Sequence, residues 1–419
     1  MVAAVNAPSR PVTPKRWFIA FLGALVLMVL GSLYVWSIFV IPLEEEFGWV
    51  RAQTSVTFSI CMCMLCIGSI VSGLILRRYP HRLVIVLSGL CMGGSYLFTS
   101  RIGSLAGLYL CYGALMGLGI GMGYNAVINA VMRWFPEKMG FITGFLMMGF
   151  GFGGMALSGA ASGLLYSIGW RSTFVYIGVT FLVFILLSSI FIVPPGPRDA
   201  LPEADGGRAE QSAYNLTAGQ MLGLSGFWLY FLWCTLLSAG GLMLIGHAGP
   251  IIQGLGASPE LAALFIGVVS IFNGLGRLST GIACDRLGYK RAMAIVSVGI
   301  LAVGLFLIAG LAAGSVALAA AAFVLAGFSY GGVFPINSFF VGKFYGLRYH
   351  ALNFGIVNLC MMTGSVGPYI AGFLQTSTGS YFSSAIIIAV FGGAGTALLL
   401  LREPSGNGLA RLTGSENVP

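Results

Sequence analysis

Apolar runs of about 20 residues alternate with short polar turns along nearly the whole chain. A helix of that length crosses the ~30 Å hydrocarbon core of a bilayer. The pattern therefore predicts an all-α membrane protein with twelve transmembrane helices. We expect these spans at 17–42, 52–76, 83–100, 103–132, 139–167, 172–193, 227–252, 261–284, 292–313, 315–342, 350–375 and 381–401.

Composition supports the membrane assignment. The 419 residues are 58% hydrophobic and 8% charged, with a mean hydropathy of +0.94, which leaves too little polar surface for a soluble globule. All eight cysteines fall inside apolar runs, so neither a disulfide framework nor a metal site is expected. We expect no cofactor either.

The net charge is +9, and most of the basic residues lie on one side of the predicted membrane. If both termini lie on the same side, that side holds seventeen Lys and Arg residues and the other side holds three. This asymmetry predicts a multi-pass protein of a bacterial-type plasma (inner) membrane with cytoplasmic termini, and it argues against nucleic-acid binding. The chain start lacks the charged region, short apolar core and cleavage site of a signal peptide. The first span is therefore predicted to be a membrane helix and not a cleaved signal sequence.

The segment 194–226 is rich in Pro, Gly and mixed charge, which is typical of a flexible cytoplasmic linker. It divides the chain into an N-terminal six-helix bundle, 1–193, and a C-terminal one, 227–419. The two halves repeat with a shift of roughly 208 to 211 residues: Pro42 and Gly73 in the first half correspond to Pro250 and Gly281 in the second. Parallel six-helix repeats with a site between them are a known transporter plan.

Several motifs resemble one family over nearly the whole chain. The loop Gly281-x-x-x-Asp285-Arg286-x-Gly288-x-Lys290-Arg291 resembles the signature loop of the major facilitator superfamily, whereas the first-half copy carries Arg77 where the family usually has Asp. Within the superfamily, four further motifs together resemble the oxalate/formate antiporter and monocarboxylate transporter group. They are Gly31-x-x-Tyr34-x-Trp36 with Pro42 and Gly48, Arg133-Trp134-Phe135-Pro136, Asn273-Gly274-x-x-Arg277, and Asn353-Phe354-Gly355. The resemblance implies two pseudo-symmetric bundles and a transporter, which we expect to work as a monomer.

Arg277 is the one Lys, Arg, Asp or Glu that lies inside a predicted span. It stands eight residues before Asp285, or roughly 12 Å along a helix, and so near mid-membrane. Its helix face includes Asn273, at a step of four residues. A buried guanidinium is costly and usually faces a cavity, and its fork of donors suits a carboxylate. The alternative is an Arg satisfied by backbone carbonyls or Asn side chains where helices cross.

We expect a substrate with a single carboxylate, because the single guanidinium of Arg277 can neutralise only one negative charge. The resemblance adds that the oxalate carrier of this group has a Lys in span eleven, at a position that corresponds to Met361 here. A short monocarboxylate such as lactate or pyruvate is therefore favoured over oxalate. Animal-type monocarboxylate carriers have a candidate proton-carrying Asp where this chain has Asn273. His247, the one histidine in the interior of a predicted span, is our candidate for proton coupling, with a neutral, hydrogen-bonded histidine as the alternative.

Further cavity candidates follow from helical spacing and pseudo-symmetry. Each has the alternative of hydrogen bonding between helices instead of binding substrate. Spans ten and four contribute three each, and spans one and eleven add one each. They are Tyr330, Phe334 and Asn337; Tyr124, Asn125 and Asn129; Tyr34; and Asn358.

These features favour a secondary active transporter of small monocarboxylates, coupled to protons by symport and working by alternating access. The first alternative is a carboxylate exchanger of the oxalate/formate type, and the second is a passive organic-anion channel. An enzyme is not expected, because no nucleophile, metal cluster or acid-base pair lies in the predicted spans. The expected partners are the monocarboxylate anion, H+ and the lipid bilayer.

Overall fold

The structure is a computed structural model that describes residues 14–196 and 215–401. The chain ends, 1–13 and 402–419, lie outside the described residues, as do residues 197–214 of the predicted linker. The described part is helical and contains no strand.

The first half consists of seven α-helices, two short 3-10 segments (Gly31–Val35 and Pro136–Lys138) and one π-helical segment (Tyr109–Met116). The α-helices are α1 Pro14–Leu30, α2 Trp36–Phe47, α3 Arg51–Ile75, α4 His81–Thr99, α5 Leu105–Leu108, α6 Gly117–Met132 and α7 Met139–Ser188.

The second half consists of ten α-helices, several of which share one membrane crossing. They are α8 Ala218–Leu222, α9 Ser225–Gly246, α10 Ala248–Gly254, α11 Pro259–Leu287, α12 Tyr289–Ala313, α13 Val316–Tyr345, α14 His350–Val357, α15 Leu359–Gly364, α16 Val366–Thr378 and α17 Phe382–Leu401.

Ten helical runs in the described residues are long and apolar enough to cross a membrane. One of them, which contains α7, covers two predicted spans; Gly169 breaks it with a φ of 75°, a value that favours glycine because a Cβ would clash there. Counting that division, and with α11 added, the crossings match the twelve predicted ones. The fold is therefore the predicted one, two six-helix bundles in one chain.

Four crossings are interrupted at points that the apolar pattern does not reveal. The first contains the 3-10 turn Gly31–Val35, the fourth contains the π-helical segment Tyr109–Met116, the seventh breaks at His247, and the eleventh breaks at Asn358 and Ser365. Short 3-10 segments and breaks inside a crossing often mark hinges. Tyr34 and His247, both predicted from sequence to be functional, lie in two of these interruptions.

The end of the predicted linker is docked on the second half. Leu216 is buried, its N–H donates to the carbonyl of Tyr345 (3.0 Å), and its own carbonyl accepts from Asn353 Nδ2 (3.0 Å). The backbone N–H of Arg348 donates to Asn215 Oδ1 (3.1 Å). Three hydrogen bonds and a buried side chain therefore attach Asn215 and Leu216 to the second half.

The two ends of the bundle differ. We call the end that holds Trp134, Val193 and Tyr345 the linker end, because the linker leaves and rejoins the helices there, and the opposite end the far end. The halves meet where α7 packs on α11 and α3 packs on α14. At the linker end a Cβ on Gly73 of α3 would lie 2.5 Å from the Cα of Leu352 of α14, so these two helices touch there through their backbones.

Toward the far end the facing helices leave open space. A Cβ on Gly159 of α7 or on Gly267 of α11 would meet no atom within 4 Å, whereas one on Gly144 of α7 would lie 2.5 Å from the carbonyl oxygen of Arg277. The halves are therefore packed together at the linker end and separated toward the far end.

Candidate functional site

A small cavity lies between the halves, with Arg277 in its wall. Four of its lining residues were predicted from sequence (Arg277, Tyr34, Tyr124 and Phe334), and Met361 was predicted to stand beside the site. The other lining residues are Met62, Leu65 and Phe150. The free volume between these side chains is about 10 Å³, room for about one water molecule. The wall is thus aromatic and apolar apart from one guanidinium and two phenols.

The guanidinium of Arg277 is 1% exposed. Its Nε donates to Asn273 Oδ1 (3.1 Å), one turn earlier on α11, and its Nη1 donates to the backbone carbonyl of Met147 (3.1 Å) on α7. Its Cζ lies 4.3 Å from the ring centre of Phe334 and 5.6 Å from that of Phe150, so cation-π attraction adds to these bonds. Met147 and Phe150 belong to the first half, so Arg277 joins the two halves.

The partners of Arg277 are neutral. Among the residues that the structure describes, no Asp or Glu forms an ion pair with it. The carbonyl and amide partners are those of the alternative interpretation, an Arg satisfied where helices cross. They leave the charge formally uncompensated, and a carboxylate would make stronger hydrogen bonds to the same donors.

Glycines on α7 and α11 allow this arrangement. A Cβ on Gly144 would lie 2.5 Å from the carbonyl oxygen of Arg277, and one on Gly274 would lie 2.5 Å from Cε1 of Phe152. Larger residues would push the helices apart and pull the guanidinium away from Met147. Gly144 of α7 and Gly274 of α11 thus serve helix packing.

Tyr330 is buried close to the cavity without lining it. Its ring lies edge-on to that of Phe334, with centres 5.2 Å apart, and it interacts electrostatically with Arg277 and Tyr34. Tyr124 packs its ring 5.3 Å from that of Phe150. One aromatic pair from each half therefore packs around the guanidinium, through Phe150 and Phe334.

Three predicted asparagines do not reach this cavity. Asn337 Oδ1 accepts from Tyr230 Oη (2.8 Å), and Asn337 Nδ2 donates to Asn358 Oδ1 (3.4 Å) inside the second half. Asn125 Nδ2 donates to the carbonyls of Ser69 (2.7 Å) and Ala351 (2.7 Å) at the linker end. Their placement follows the alternative, hydrogen bonding between helices, because a buried amide takes the nearest polar partners.

His247 lies at the break between α9 and α10, away from the cavity wall. Its Nε2 is 2.9 Å from the carbonyl of Pro368, and its Nδ1 is 3.1 Å from Tyr381 Oη. A carbonyl only accepts, so Nε2 carries the hydrogen and the neutral ring accepts from Tyr381 at Nδ1. His247 thus joins the seventh crossing to the segment between Pro368 and Tyr381, and it does not line the cavity that holds Arg277.

Sequence reasoning missed Met147 and Phe150, the first-half partners of Arg277. Both lie on span five, to which the sequence assigned no substrate contact.

The linker end is closed by a carboxylate at the start of α7. Asp285 Oδ1 and Oδ2 accept from the N–H groups of Gly140 (2.8 Å) and Phe141 (2.7 Å). Unpaired N–H groups at a helix start favour such an anion. The corresponding position of the first half is Arg77, which cannot accept hydrogen bonds from a helix start as Asp285 does. The first-half loop must therefore hold the linker end closed through different contacts.

The comparisons with known proteins agree with this geometry. A family model described as Major Facilitator Superfamily matches residues 17–278 and 231–418. The oxalate:formate antiporter of Oxalobacter formigenes is 27% identical over 285 residues, which are 67% of this chain and 66% of that protein. Monocarboxylate transporter 2 of Rattus norvegicus is 24% identical over 63% of this chain and 58% of its own length. The chain thus spans slightly under two thirds of these curated relatives.

A solved structure also has the same fold. FucP, a transporter captured in its outward conformation, aligns over 94% of this chain and 99% of its own with a TM-score of 0.67 and 13% identity. Two helical bundles around a central cationic cavity define a polytopic transporter. The chain belongs to the Major Facilitator Superfamily.

Proposed function

We propose that this protein is a secondary active transporter of small monocarboxylates such as lactate or pyruvate, coupled to protons by symport. The observation that carries the proposal is Arg277, buried between the halves with neutral partners only. The similarity to an oxalate:formate antiporter and to a monocarboxylate transporter supports the substrate class.

The linker end is the cytoplasmic side in this proposal. The seventeen-to-three distribution of basic residues supports this orientation, with both termini inside a bacterial-type plasma membrane. The conformation described above is then closed to the cytoplasm and separated toward the outside. We infer that a single chain suffices, because the site is built from one chain's two halves.

A substrate carboxylate competes for donors that now hold the halves together. Arg277 Nη1 donates to Met147 of the first half, and a carboxylate bound there takes over that N–H. Because the free volume is about 10 Å³, entry requires the aromatic and methionine side chains to move apart. Binding therefore exchanges a contact between the halves for a contact with the cargo, which links occupancy to their relative movement.

One cation favours one carboxylate. Met361 lines the cavity where a second cation would be needed for a dianion, and Met62 and Leu65 offer apolar contact to a short aliphatic tail. We therefore expect lactate or pyruvate to bind and oxalate to be rejected.

Proton coupling is assigned to His247 or to the protonated cargo. His247 keeps both of its ring nitrogens hydrogen-bonded whether neutral or charged, because Tyr381 Oη can either donate or accept. Exchange of one carboxylate for another is the second candidate, since the antiporter from Oxalobacter formigenes matches two thirds of the chain.

Proteoliposomes test the proposal. Under an inward proton gradient, labelled lactate should rise above its equilibrium distribution and collapse on addition of a protonophore. Entry only when another carboxylate leaves would replace symport by exchange. Entry that never exceeds equilibrium would indicate a passive channel.

A further inference from the structure

Two histidines from opposite halves are joined by one amide at the linker end. His81 Nε2 lies 3.1 Å from Asn129 Oδ1, and Asn129 Nδ2 lies 3.0 Å from His350 Nδ1. The chain of hydrogen bonds ends at the Ser338 carbonyl, 3.0 Å from His350 Nε2. His81 and Asn129 belong to the first half and His350 and Ser338 to the second, so the network crosses the closure. His350 is 0% exposed.

The partners determine where the hydrogens of His350 lie. The Ser338 carbonyl only accepts, so His350 Nε2 carries a hydrogen. Asn129 Nδ2 only donates, so His350 Nδ1 carries none. The closed arrangement therefore holds His350 neutral. A proton added at Nδ1 would place two N–H groups against each other at 3.0 Å.

Rotating the Asn129 amide does not remove the conflict without a second change. The carbonyl of the amide would then face His350, but its NH2 group would face His81 Nε2, which would have to release its own hydrogen. A cation at His350 would also remain buried, with the positive charge of Arg133 one helical turn beyond Asn129.

The surroundings offer no anion to compensate. His350 is faced by Ser338 from α13, by Asn129 from α6 with Arg133 just beyond it, and by the Phe354 ring of its own helix at 5.6 Å. His81 of α4 is the other titratable group. Among the described residues in these contacts, none is a carboxylate.

We propose that His350 is a cytoplasmic proton-binding site that opposes closure of the inner side when it is occupied. This inference rests on the proposed function, in which the halves alternate and the linker end is cytoplasmic. His350 takes up its proton while the inner side is open, and only the neutral ring fits the closed network. A proton on this site is distinct from the transported one, because the site is sealed while the outer side is separated.

The consequence is a brake on import. When the cytoplasm becomes acidic, the protein stays open to the inside and returns less often to accept new cargo. An exposed imidazole titrates near pH ~6.5, so if only the neutral form closes, the closed-to-open ratio falls roughly tenfold between about pH 7.5 and about pH 5.5. Import of the acid and its proton lowers the cytoplasmic pH, and the lower pH in turn slows further import.

Spin labels across the closure test the proposal. The exposed residues Tyr79 and Arg348 lie on loops of opposite halves and can carry the labels as Tyr79→Cys and Arg348→Cys, with the eight native cysteines replaced. Distances are measured in nanodiscs at about pH 7.5 and 5.5, without substrate or gradient. In the parent the closed-to-open ratio should fall about tenfold in acid.

Two substitutions separate a proton site from simple packing. His350→Gln cannot titrate and should make the closed fraction independent of pH. Asn129→Asp supplies an acceptor for a protonated His350 and should reverse the response, so that acid favours closure. That variant decides the matter even if His350→Gln does not fold.

A pH-independent distance distribution in the parent would overturn the proposal. So would a His350→Gln or an Asn129→Asp variant that responds to acid like the parent. Since no cargo is present, a failure of lactate transport leaves this result intact, and a failure here leaves the transport assay intact.

Discussion

Arg277 Nη1 donates a hydrogen bond to the carbonyl oxygen of Met147, 3.1 Å away and in the other half of the protein. The same carbonyl belongs to α7, so one of its two lone pairs serves a neighbouring half instead of its own helix. This bond places the cation at the seam between the halves. Any ligand that replaces Met147 on the guanidinium changes how the halves are held.

Replacing Arg277 should abolish carboxylate binding. Arg277→Ala removes all donors and Arg277→Lys removes the planar fork, so lactate affinity should fall by about 3 kcal/mol, roughly 100-fold in Kd, for Ala, and by less for Lys. Ligand-dependent thermal shift of the purified protein measures this, because a ligand that binds the folded state raises its apparent stability.

The matched control is Arg101→Lys, at an exposed Arg outside the spans. It should bind lactate like the parent. Unchanged affinity in Arg277→Ala, with folding intact, would remove Arg277 from the site.

Asn273→Asp should weaken binding near neutral pH and recover in acid. The new carboxylate would lie one turn from Arg277, at the position whose Oδ1 now accepts from Nε, and would pair with the guanidinium. Substrate must then compete with a charged partner, at a loss of the order of tenfold in affinity. Protonating that carboxyl group releases the guanidinium, so the difference from the parent should shrink as pH falls.

Isothermal titration with lactate at two pH values measures this difference. Asn337→Asp is the control, because Asn337 contacts Tyr230 and Asn358 instead of the cavity. An equal effect of both substitutions would mean that general damage, and not competition for Arg277, is responsible.

The apolar pattern was sufficient for the fold. The lengths of the apolar runs predict the number of crossings, and the distribution of basic residues predicts the orientation in the membrane. Neither prediction depends on tertiary contacts. Arg277 was also predictable, since a lone charge in hydrocarbon requires a polar environment wherever the helix packs. The four aromatic and cationic lining residues followed from helical spacing around it.

The asparagines and histidines were less predictable for a physical reason. Spacing gives the face of a helix, but an amide bonds to whichever polar group is nearest, and Asn125 found Ser69 and Ala351. His81 and His350 stand at helix starts, where sequence suggests solvent, and only the packing of the two halves buries them. The breaks at Asn358 and Ser365 likewise depend on neighbours rather than on local composition.

Met361→Lys should extend recognition to a dicarboxylate. Met361 lines the cavity, and none of the other lining residues is acidic. A Lys at this position therefore adds a second cation next to Arg277. Oxalate should then raise the melting temperature more than lactate does, reversing the order expected for the parent. Unliganded stability should fall, because two cations share a poorly hydrated site.

Met362→Lys is the matched control, because its side chain is one position further along and does not line the cavity. It should leave the ligand preference unchanged. Oxalate stabilisation in the control alone, or in neither variant, would contradict the role given to this position.

His247→Gln should separate proton coupling from carboxylate movement. The Gln amide can still donate to the Pro368 carbonyl, which keeps the break between α9 and α10, but it cannot take up a proton near neutral pH. Proton-driven accumulation of lactate should be lost, while exchange of internal for external lactate continues. Tyr381→Phe, which removes only the hydroxyl group at His247 Nδ1, should retain accumulation. If His247→Gln retains both accumulation and exchange, the histidine only joins the seventh and eleventh crossings, and the proton travels with the protonated acid.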